Sequence, residues 1–417
     1  MGTSVNTSTS SNAAPAPAPA PTPANGACCQ DVESAVRQRY ADGADRVAPD
    51  LCCPTDDYEP QYLEHLPQEI LEKDYGCGNP SRYVEAGETA LDLGSGVGKI
   101  CYILAQKVGP QGRVIGLDFN DAMLAVARKY QEEMAQAFGF DNVAFHKARI
   151  QDMALNLDTA QKWLNANPIT SIEDLSRFEA HCDELRNTEP LVADDFVDVV
   201  VSNCVLNLVR TEEKKQLFAE IFRVLRKGGR AVISDIVCDE DIPDDIRHDP
   251  DLWSGCIAGA FREDEFLNEF EQAGFHGIEI MARSDEPWQV IKGIEFRAMT
   301  VRAYKGKHGP CLERNQAVVY RGPWKEVRDD DGHILRRGRR LAVCDKTFHL
   351  MTDADSPYAQ QVIPIVPSRE VPAEQAQPFH CTGSAIRPPH VTKQGQDTRT
   401  IRNADAPCCC DDGGSCC

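Results

Sequence analysis

Three cysteines of this chain occupy positions from which side chains commonly reach a ligand. Cys204 directly follows the predicted strand 196–202, at the carboxyl edge where ligands bind in open α/β sheets. Cys77 precedes the first predicted strand, and Cys256 follows the strand 229–235. Their three loops could bring three thiols together, and thiolates bind soft, thiol-seeking ions. A structural role is the alternative for each cysteine, because a buried thiol also packs as a small hydrophobic group.

The other cysteines are notable for their clustering. Eighteen cysteines among 417 residues stay well below the roughly 8 to 10% that marks a disulfide scaffold. Most are therefore expected as thiols in a reducing cytosol. Neighbouring cysteines occur as Cys28-Cys29, Cys52-Cys53, Cys408-Cys409-Cys410 and Cys416-Cys417. The terminal runs are either exposed residues of loose tails or ligands of a soft ion.

A glycine-rich turn gives the second chemical signal. Residues 92–98 read Asp-Leu-Gly-Ser-Gly-Val-Gly, between a predicted strand and the predicted helix 99–108. A dinucleotide-binding turn has the pattern Gly-x-Gly-x-x-Gly, whereas here the third glycine comes one residue early. S-adenosylmethionine fits better, because N–H groups at a helix N-terminus bind its carboxylate and Asp92 can balance its ammonium. An ordinary strand-to-helix loop is the alternative for the turn taken alone.

The next two strands extend the cofactor prediction. The strand 113–118 ends in Asp118, 20 residues beyond the last glycine of the turn, and an acid there can bind both ribose hydroxyls. Residues 150–152 follow the third strand and could line the adenine, with a polar loop start as the alternative. The predicted cofactor-binding residues are Tyr75, Asp92, Gly94, Ser95, Gly96, Gly98, Asp118, Met123, Ile150, Gln151 and Asn203.

Alternating strands and helices would position these residues. Between 88 and 305, apolar runs of strand length alternate with amphipathic helical stretches, which is typical of a parallel sheet covered by helices. The predicted strands are 89–93, 113–118, 143–147, 196–202, 229–235 and 297–304. With the glycine-rich turn after the first strand, this order predicts an α/β, Rossmann-like class I S-adenosylmethionine-dependent methyltransferase domain.

Composition divides the chain further. The predicted segments are a disordered Ala/Pro-rich arm (1–26), an N-terminal helical segment with cysteines (27–87), the methyltransferase domain (88–305), a small β-rich C-terminal domain (306–387) and a loose Cys-rich tail (388–417). The methyltransferase domain carries a helical insert at 152–192, where Thr170-Ser171-Ile172-Glu173 has the pattern of a capping box. A turn is predicted at Asp331-Gly332.

Charge and hydropathy exclude several classes of protein. The formal net charge is −21, and an acidic surface repels phosphate backbones, so no nucleic-acid partner is expected. The first dozen residues contain no Lys or Arg and no apolar run, and nowhere do about 18 consecutive apolar residues occur. We therefore expect a soluble, cytoplasmic protein without a membrane partner.

Three polar motifs are interpreted as structural. The basic run 336–340 lacks interleaved aromatics and is expected to be a solvated hairpin face. His380-Cys381, and His308 with Cys311, are too sparse for a zinc framework. Residues 329–332 lack the alternating acids and terminal Glu of a calcium loop and are expected to form a turn. No metal cofactor is expected.

Four segments resemble the arsenite S-adenosylmethionine methyltransferase family. They are Tyr75-Gly76-Cys77-Gly78, the turn 92–98, Ser202-Asn203-Cys204-Val205-Leu206-Asn207-Leu208-Val209 and Leu252-Trp253-Ser254-Gly255-Cys256. The glycine-rich turn is shared by very many methyltransferases, whereas the first and third segments are much more specific. Together they cover most of 50–305, and the terminal cysteine runs also look like this family's tails.

The resemblance implies an enzyme that methylates trivalent arsenic, as arsenite, methylarsenite or their thiol conjugates, with S-adenosylmethionine. It implies that Cys77, Cys204 and Cys256 hold the arsenic. It further implies that an upstream cysteine, here Cys52 or Cys53, can form a disulfide with Cys77, and that a thiol reductant such as thioredoxin or glutathione is a partner.

This chain departs from the family pattern at two places. Cys77 lies 25 residues after Cys52 and 24 after Cys53, a little closer than in the family, and the insert 152–192 is additional. Two other functions stay open. One is methylation of another small acceptor or another thiophilic element, and the other is arsenic sequestration by a thiol-rich protein without catalysis.

Overall fold

A computed structural model describes residues 32–46, 57–73, 75–306, 309–354, 356–381 and 385–393. The predicted N-terminal arm, the pairs Cys28-Cys29 and Cys52-Cys53, and the cysteine runs of the tail lie outside the described residues. None of the helices in the described ranges combines the length and the apolar character that crossing a membrane requires.

A nine-stranded sheet with helices on both faces occupies the first three quarters of the described chain. Its elements, with the helices that precede it, are α1 (Val32–Asp45), α2 (Pro60–Leu63), α3 (Gln68–Glu72), β1 (Thr89–Leu93), α4 (Lys99–Val108), β2 (Arg113–Asp118), α5 (Asp121–Lys129), α6 (Gln131–Phe138), β3 (Val143–Lys147), α7 (Leu157–Ala166), α8 (Ile172–Thr188), β4 (Val197–Asn203), α9 (Lys214–Val224), β5 (Leu225–Cys238), α10 (Asp244–Arg247), α11 (Pro250–Ser254), β6 (Phe261–Arg262), α12 (Glu263–Gln272), β7 (His276–Arg283), β8 (Gln289–Ile291) and β9 (Ile294–Tyr304). Short 3₁₀ helices lie at Pro80–Tyr83, Leu206–Leu208 and Thr211–Glu213.

The strand order is β3-β2-β1-β4-β5-β9-β7. The first five of these strands pair in parallel, and β9 lies antiparallel to both β5 and β7. The α/β class predicted from the sequence is confirmed. Because the carboxyl ends of β1, β2, β4 and β5 lie at one edge of the sheet, the residues after these strands are brought together there.

The strand sequences explain why helices cover both faces. Successive residues of β1 belong to opposite apolar clusters: Ala90 packs with α4 and α5, whereas Leu91 packs with α9 and α12. Both residues are fully buried. A strand buried on two faces has a continuous apolar run rather than an alternating one, and such runs were the signal for the central strands.

Two helices, α7 and α8, occupy the insert. Ser171 caps α8, and its side chain and that of Asp174 accept each other's backbone N–H groups. The capping box therefore lies one residue later than the predicted Thr170–Glu173 pattern, because the helix begins at Ile172. Trp163 of α7 stacks on His181 of α8 with ring centroids 5.0 Å apart.

The C-terminal region forms three small sheets. Its elements are β10 (Leu312–Glu313), β11 (Ala317–Tyr320), β12 (Glu326–Arg328), β13 (Ile334–Arg336), β14 (Arg340–Ala342), α13 (Asp345–Thr352), β15 (Val362–Ile365), a 3₁₀ helix at Ala373–Gln375, β16 (Gln377–Pro378) and α14 (Pro389–Thr392). Val318, Leu341 and Phe348 contribute to a separate apolar core. The predicted turn between β12 and β13 is present, with Gly332 N–H donating to the Asp329 carbonyl at 2.9 Å.

Candidate active site

The glycine-rich turn connects β1 to α4 through three residues in the left-handed region. The φ angles of Gly94, Gly96 and Gly98 are 69°, 50° and 90°. Side-chain-bearing residues rarely adopt this conformation, so the sequence needs glycine at each position. The turn directs the start of α4 toward the carboxyl edge of the sheet, where a helix N-terminus favours a negatively charged ligand group.

A cavity of about 1220 Å³, including its part open to solvent, lies above this turn. All predicted cofactor-binding residues except Gly98 line it, namely Tyr75, Asp92, Gly94, Ser95, Gly96, Asp118, Met123, Ile150, Gln151 and Asn203. Gly98 has a different function: it caps α4, and a Cβ at this position would lie 2.9 Å from Cζ of Phe145. The cavity therefore unites residues from the ends of four strands.

Two carboxyl groups at the cavity wall have different surroundings. Asp118 accepts hydrogen bonds from the N–H groups of Gly96 at 2.8 Å and Asn120 at 2.7 Å, while burial raises its pKa. Asp92 is 2% exposed and accepts a hydrogen bond from the Cys101 thiol at 3.2 Å. Asp118 keeps acceptor capacity for ligand hydroxyls, since a carboxylate can accept about four hydrogen bonds.

Helix α1 contributes cavity residues that sequence reasoning missed. Glu33, Arg37 and Tyr40 line the cavity. Arg149 donates two hydrogen bonds to the Glu33 carboxylate, at 2.6 and 3.2 Å. This fork-like ion pair joins α1 to the loop after β3 at the cavity wall. Nothing in the sequence spacing signals it, because the two residues lie 116 positions apart.

The three candidate arsenic-binding cysteines lie in one buried apolar cluster next to the cavity. Cys77, Cys204 and Cys256 are 5%, 2% and 0% exposed and pack with Ile236 and Ile257. Cys77 and Cys204 form a disulfide with their Cα atoms 5.8 Å apart. The Cys256 thiol donates to the carbonyl of Cys204 at 3.5 Å. The sequence did not anticipate the Cys77–Cys204 bond, and the alternative partners Cys52 and Cys53 lie outside the described residues.

Two of these cysteines have unusual backbone conformations. The φ angles are 60° at Cys204 and 62° at Cys256, in the left-handed region that costs a non-glycine residue about 1–3 kcal/mol. A glycine at either position would remove this strain but also the thiol. Such strain persists where surrounding contacts determine the conformation, and it is frequent at functional sites.

Two asparagines on either side of Cys204 hold the loops that carry the other two cysteines. The Oδ1 atom of Asn203 accepts hydrogen bonds from the N–H groups of Cys77 at 2.9 Å and Gly78 at 3.0 Å. The Nδ2 atom of Asn207 donates to the carbonyls of Ile236 at 2.6 Å and Cys256 at 3.3 Å. The segment 203–207 therefore aligns all three cysteines, and Asn207 is a positioning residue that the sequence analysis did not single out.

Close packing explains both glycines beside Cys77. A Cβ at Gly76 would lie 2.0 Å from Nδ2 of Asn203, and a Cβ at Gly78 would lie 2.6 Å from Oγ of Ser234. No side chain fits at either position without displacing these groups. The specific Tyr-Gly-Cys-Gly pattern is thus a consequence of the close approach between the Cys77 loop and the ends of β4 and β5.

The region around the three cysteines also contains the buried ionisable groups Asp235, Lys214 and Cys238. Asp235 accepts hydrogen bonds from the N–H groups of Ile236 and Asn207, and burial raises its pKa to about 6. Burial lowers the pKa of Lys214, which donates to the carbonyl of Gly259, to about 8. Cys238 packs in the same apolar cluster, but burial raises its pKa to about 12.

Comparisons with known proteins agree with this architecture. A family model described as Methyltransferase domain matches residues 84–179 and 164–274, and one described as Domain of unknown function (DUF8838) matches residues 307–397. The solved structure of an arsenic(III) S-adenosylmethionine methyltransferase from Chlamydomonas reinhardtii has a similar fold. Its TM-score is 0.50 at 24% sequence identity, covering 77% of this chain and 98% of that one. The fold and its cavity define a methyltransferase.

Two relatives narrow the class. The arsenite methyltransferase of Aquipseudomonas alcaligenes is 30% identical over 305 residues, which cover 70% of this chain and 77% of that protein. The arsenite methyltransferase of Mus musculus is 28% identical over 378 residues, which cover 87% of this chain and 88% of that protein. The chain belongs to the arsenite methyltransferase family.

Proposed function

We propose that this protein transfers a methyl group from S-adenosylmethionine to trivalent arsenic held by the thiolates of Cys77, Cys204 and Cys256. The observation that carries the proposal is the position of Cys204. This residue lines the cavity above the glycine-rich turn and also contacts both other cysteines. An atom bound to its sulfur therefore borders the cofactor cavity.

The residues of the cavity fit S-adenosylmethionine. Its sulfonium supplies an electrophilic methyl group. The start of α4 and the turn 94–98 suit the carboxylate, and the buried Asp92 suits the ammonium. Asp118, which Gly96 and Asn120 hold in place, suits the ribose hydroxyls. Ile150 and Gln151 also line the cavity, after the third strand, and suit the adenine.

Binding of the substrate exchanges ligands on arsenic. Arsenite carries three hydroxyl groups, and each thiol that forms an As–S bond releases one of them as water. Three soft thiolates then hold the ion as a pyramid with its lone pair on the fourth side. The burial of all three cysteines excludes competing water from the bound ion. No general base is needed for the transfer, because the nucleophile is a lone pair without a proton.

Methyl transfer changes the oxidation state of arsenic. The arsenic lone pair forms the As–C bond, the S–C bond breaks with its electrons remaining on sulfur, and S-adenosylhomocysteine leaves. Arsenic is then pentavalent, and two electrons from a thiol reductant return it to the trivalent state. Thioredoxin and glutathione have the required chemistry. The same reductant would open the Cys77–Cys204 disulfide, which must be reduced before both sulfurs can bind arsenic.

A methylated arsenic can return to the site. Methylarsenite has only two exchangeable positions left, so Cys204 and Cys256 suffice to hold it, and a second transfer gives a dimethylated product. Reduced thiols are a condition for every step, which favours a cytoplasmic location. We assign the insert at 152–192 no part in these steps.

The test is an incubation of reduced protein with arsenite, a dithiol and methyl-labelled S-adenosylmethionine, followed by separation of the arsenic species. Label on mono- and dimethylated arsenic supports the proposal. Arsenic binding without transfer of label would instead support sequestration. Absence of arsenic binding, with label transferred to another small molecule, would support a different acceptor.

A further inference from the structure

A second group of three cysteines lies in the C-terminal region, far from the cavity in sequence. The sulfur atoms of Cys311, Cys344 and Cys381 all lie within 4.8 Å of one another. The three residues come from separate elements: Cys311 precedes β10, Cys344 follows β14, and Cys381 follows β16. Cys311 and Cys381 were interpreted from the sequence as too sparse for a zinc framework, and no spacing in the sequence indicated the cluster that the fold creates.

The surrounding backbone holds the three sulfurs in place. The Phe379 N–H donates to the Cys311 carbonyl at 2.8 Å, which joins the segments of Cys311 and Cys381. Arg314 donates to the Asp345 carboxylate at 2.9 Å, which joins β10 to the start of α13. Cys344 caps this helix, and its sulfur accepts the Thr347 N–H at 3.4 Å. Three independent contacts therefore fix the cluster.

The donor set selects the kind of ion. Among the described residues, no histidine or carboxylate joins the three sulfurs. Structural zinc sites are four-coordinate and tetrahedral, so three sulfurs leave such a site one ligand short. Arsenite instead has three exchangeable hydroxyl groups, so three sulfurs complete its coordination while a lone pair occupies the fourth position. Three soft thiolates also favour a soft ion over a hard one.

We infer that Cys311, Cys344 and Cys381 form a second binding site for trivalent arsenic. The inference rests on the proposed function, which makes arsenite a ligand of this protein. Binding exchanges the three hydroxyl groups of arsenite for three sulfurs and releases three water molecules, without oxidation or reduction. None of these three cysteines lines the cofactor cavity, whereas Cys204 of the first site does. Arsenic in the C-terminal site is therefore stored there, because no methyl donor borders it.

Protection of cysteines from alkylation tests the inference on the full-length, reduced protein. Cys311 and Cys381 are half-buried and accessible to an alkylating reagent, which is applied at alkaline pH, whereas Cys344 is buried. Arsenite at a concentration that saturates both sites should slow alkylation of Cys311 and Cys381 at least about tenfold, measured by peptide mass spectrometry. The Cys256→Ser variant should show the same protection, because its C-terminal cysteines are intact. Cys182→Ser, a buried cysteine of the insert, is the matched control and should behave as wild type.

Loss of one ligand should remove the protection of the others. In Cys344→Ser, arsenite should no longer slow alkylation of Cys311 and Cys381, while methylation of arsenite is retained. If this variant loses its cooperative unfolding transition, Cys311→Ser with Cys381 as the readout replaces it. If arsenite does not slow alkylation of Cys311 and Cys381 in wild-type protein that methylates arsenite, this inference is overturned while the proposed function stands. Zinc bound at one ion per chain and lost in Cys344→Ser would also overturn it. Protection without any methylation would instead contradict the proposed function.

Discussion

The side chain of Asn203 lies between the cofactor cavity and the loop of Cys77, and its Oδ1 atom accepts the Cys77 N–H at 2.9 Å. The same amide donates to the Gly78 carbonyl at 2.8 Å. One residue at the end of β4 therefore fixes the loop that carries the first cysteine. Cys204 follows it directly, so a single segment positions part of the cofactor wall and two candidate arsenic ligands.

This contact predicts a coupled pair of substitutions. Asn203→Ala should destabilise the protein, because each buried backbone group that loses its partner costs about 1–3 kcal/mol. Gly76→Ala should be strongly destabilising alone, since its Cβ would lie 2.0 Å from Nδ2 of Asn203. In the Asn203→Ala background the clash is absent. Adding Gly76→Ala there should lower the free energy of unfolding by at least about 1 kcal/mol less than it does in the wild-type protein. Urea unfolding of the four proteins measures the coupling, and strictly additive costs would contradict it.

The sequence predicted the central elements because their signals are local. Apolar runs of strand length identified β1 to β5, and three glycines in seven residues identified the cofactor turn. The function of Asn207 was not predicted, because its partners at Ile236 and Cys256 are backbone carbonyls 29 and 49 positions away. The cluster of Cys311, Cys344 and Cys381 was missed for the same reason. No periodicity or motif relates residues that only the tertiary fold brings together.

The glycine-rich turn predicts a selective loss of cofactor affinity. Gly96 has a positive φ, and a Cβ there would contact nothing but the cavity space. Gly96→Val should weaken S-adenosylmethionine binding at least about tenfold, through strain and occlusion, and leave arsenic affinity nearly unchanged. Gly139→Val is the matched control, because Gly139 also has a positive φ with an open Cβ position but lies at the end of α6. Calorimetry with each ligand decides the matter; a parallel loss of both affinities in a folded variant would contradict separate sites.

The buried Asp235 predicts a pH dependence of stability. Its pKa in the folded protein is about 6, above the ordinary value of 3.8. Between these two values the folded state binds more protons than the unfolded state, so the free energy of unfolding should decrease as pH rises from about 4 to 6. The decrease is up to about 3 kcal/mol. Asp235→Asn should have a clearly smaller slope, whereas the exposed Asp141→Asn should keep the full slope. Urea unfolding between pH 4 and 7 measures it, and equal slopes in all three proteins would refute the assignment.

The disulfide between Cys77 and Cys204 predicts dependence on a dithiol. Protein with this disulfide intact should bind arsenite weakly at the active site and should not methylate it, because two of the three sulfurs are joined. Adding a dithiol should restore binding and repeated turnover. Peptide mapping without reduction identifies the partners of Cys77 after turnover. Cys52→Ser and Cys53→Ser should differ in activity if one of these residues exchanges into the disulfide, and full multiple turnover without reductant would count against the scheme.

Serine variants of the three cysteines test the arsenic site itself. Serine replaces a soft thiolate by a hard, neutral hydroxyl of similar size, so arsenic loses one ligand while the fold persists. Cys204→Ser and Cys256→Ser should lose methylation of both arsenite and methylarsenite, because only one of the two essential thiols remains. Cys77→Ser should lose activity on arsenite and keep part of its activity on methylarsenite, whose two exchangeable positions match Cys204 and Cys256. Cys182→Ser provides the control for the loss of a buried thiol elsewhere. Assays of the four variants on both substrates compare these outcomes directly, and full arsenite methylation by Cys204→Ser would refute thiolate-bound arsenic and favour a different acceptor.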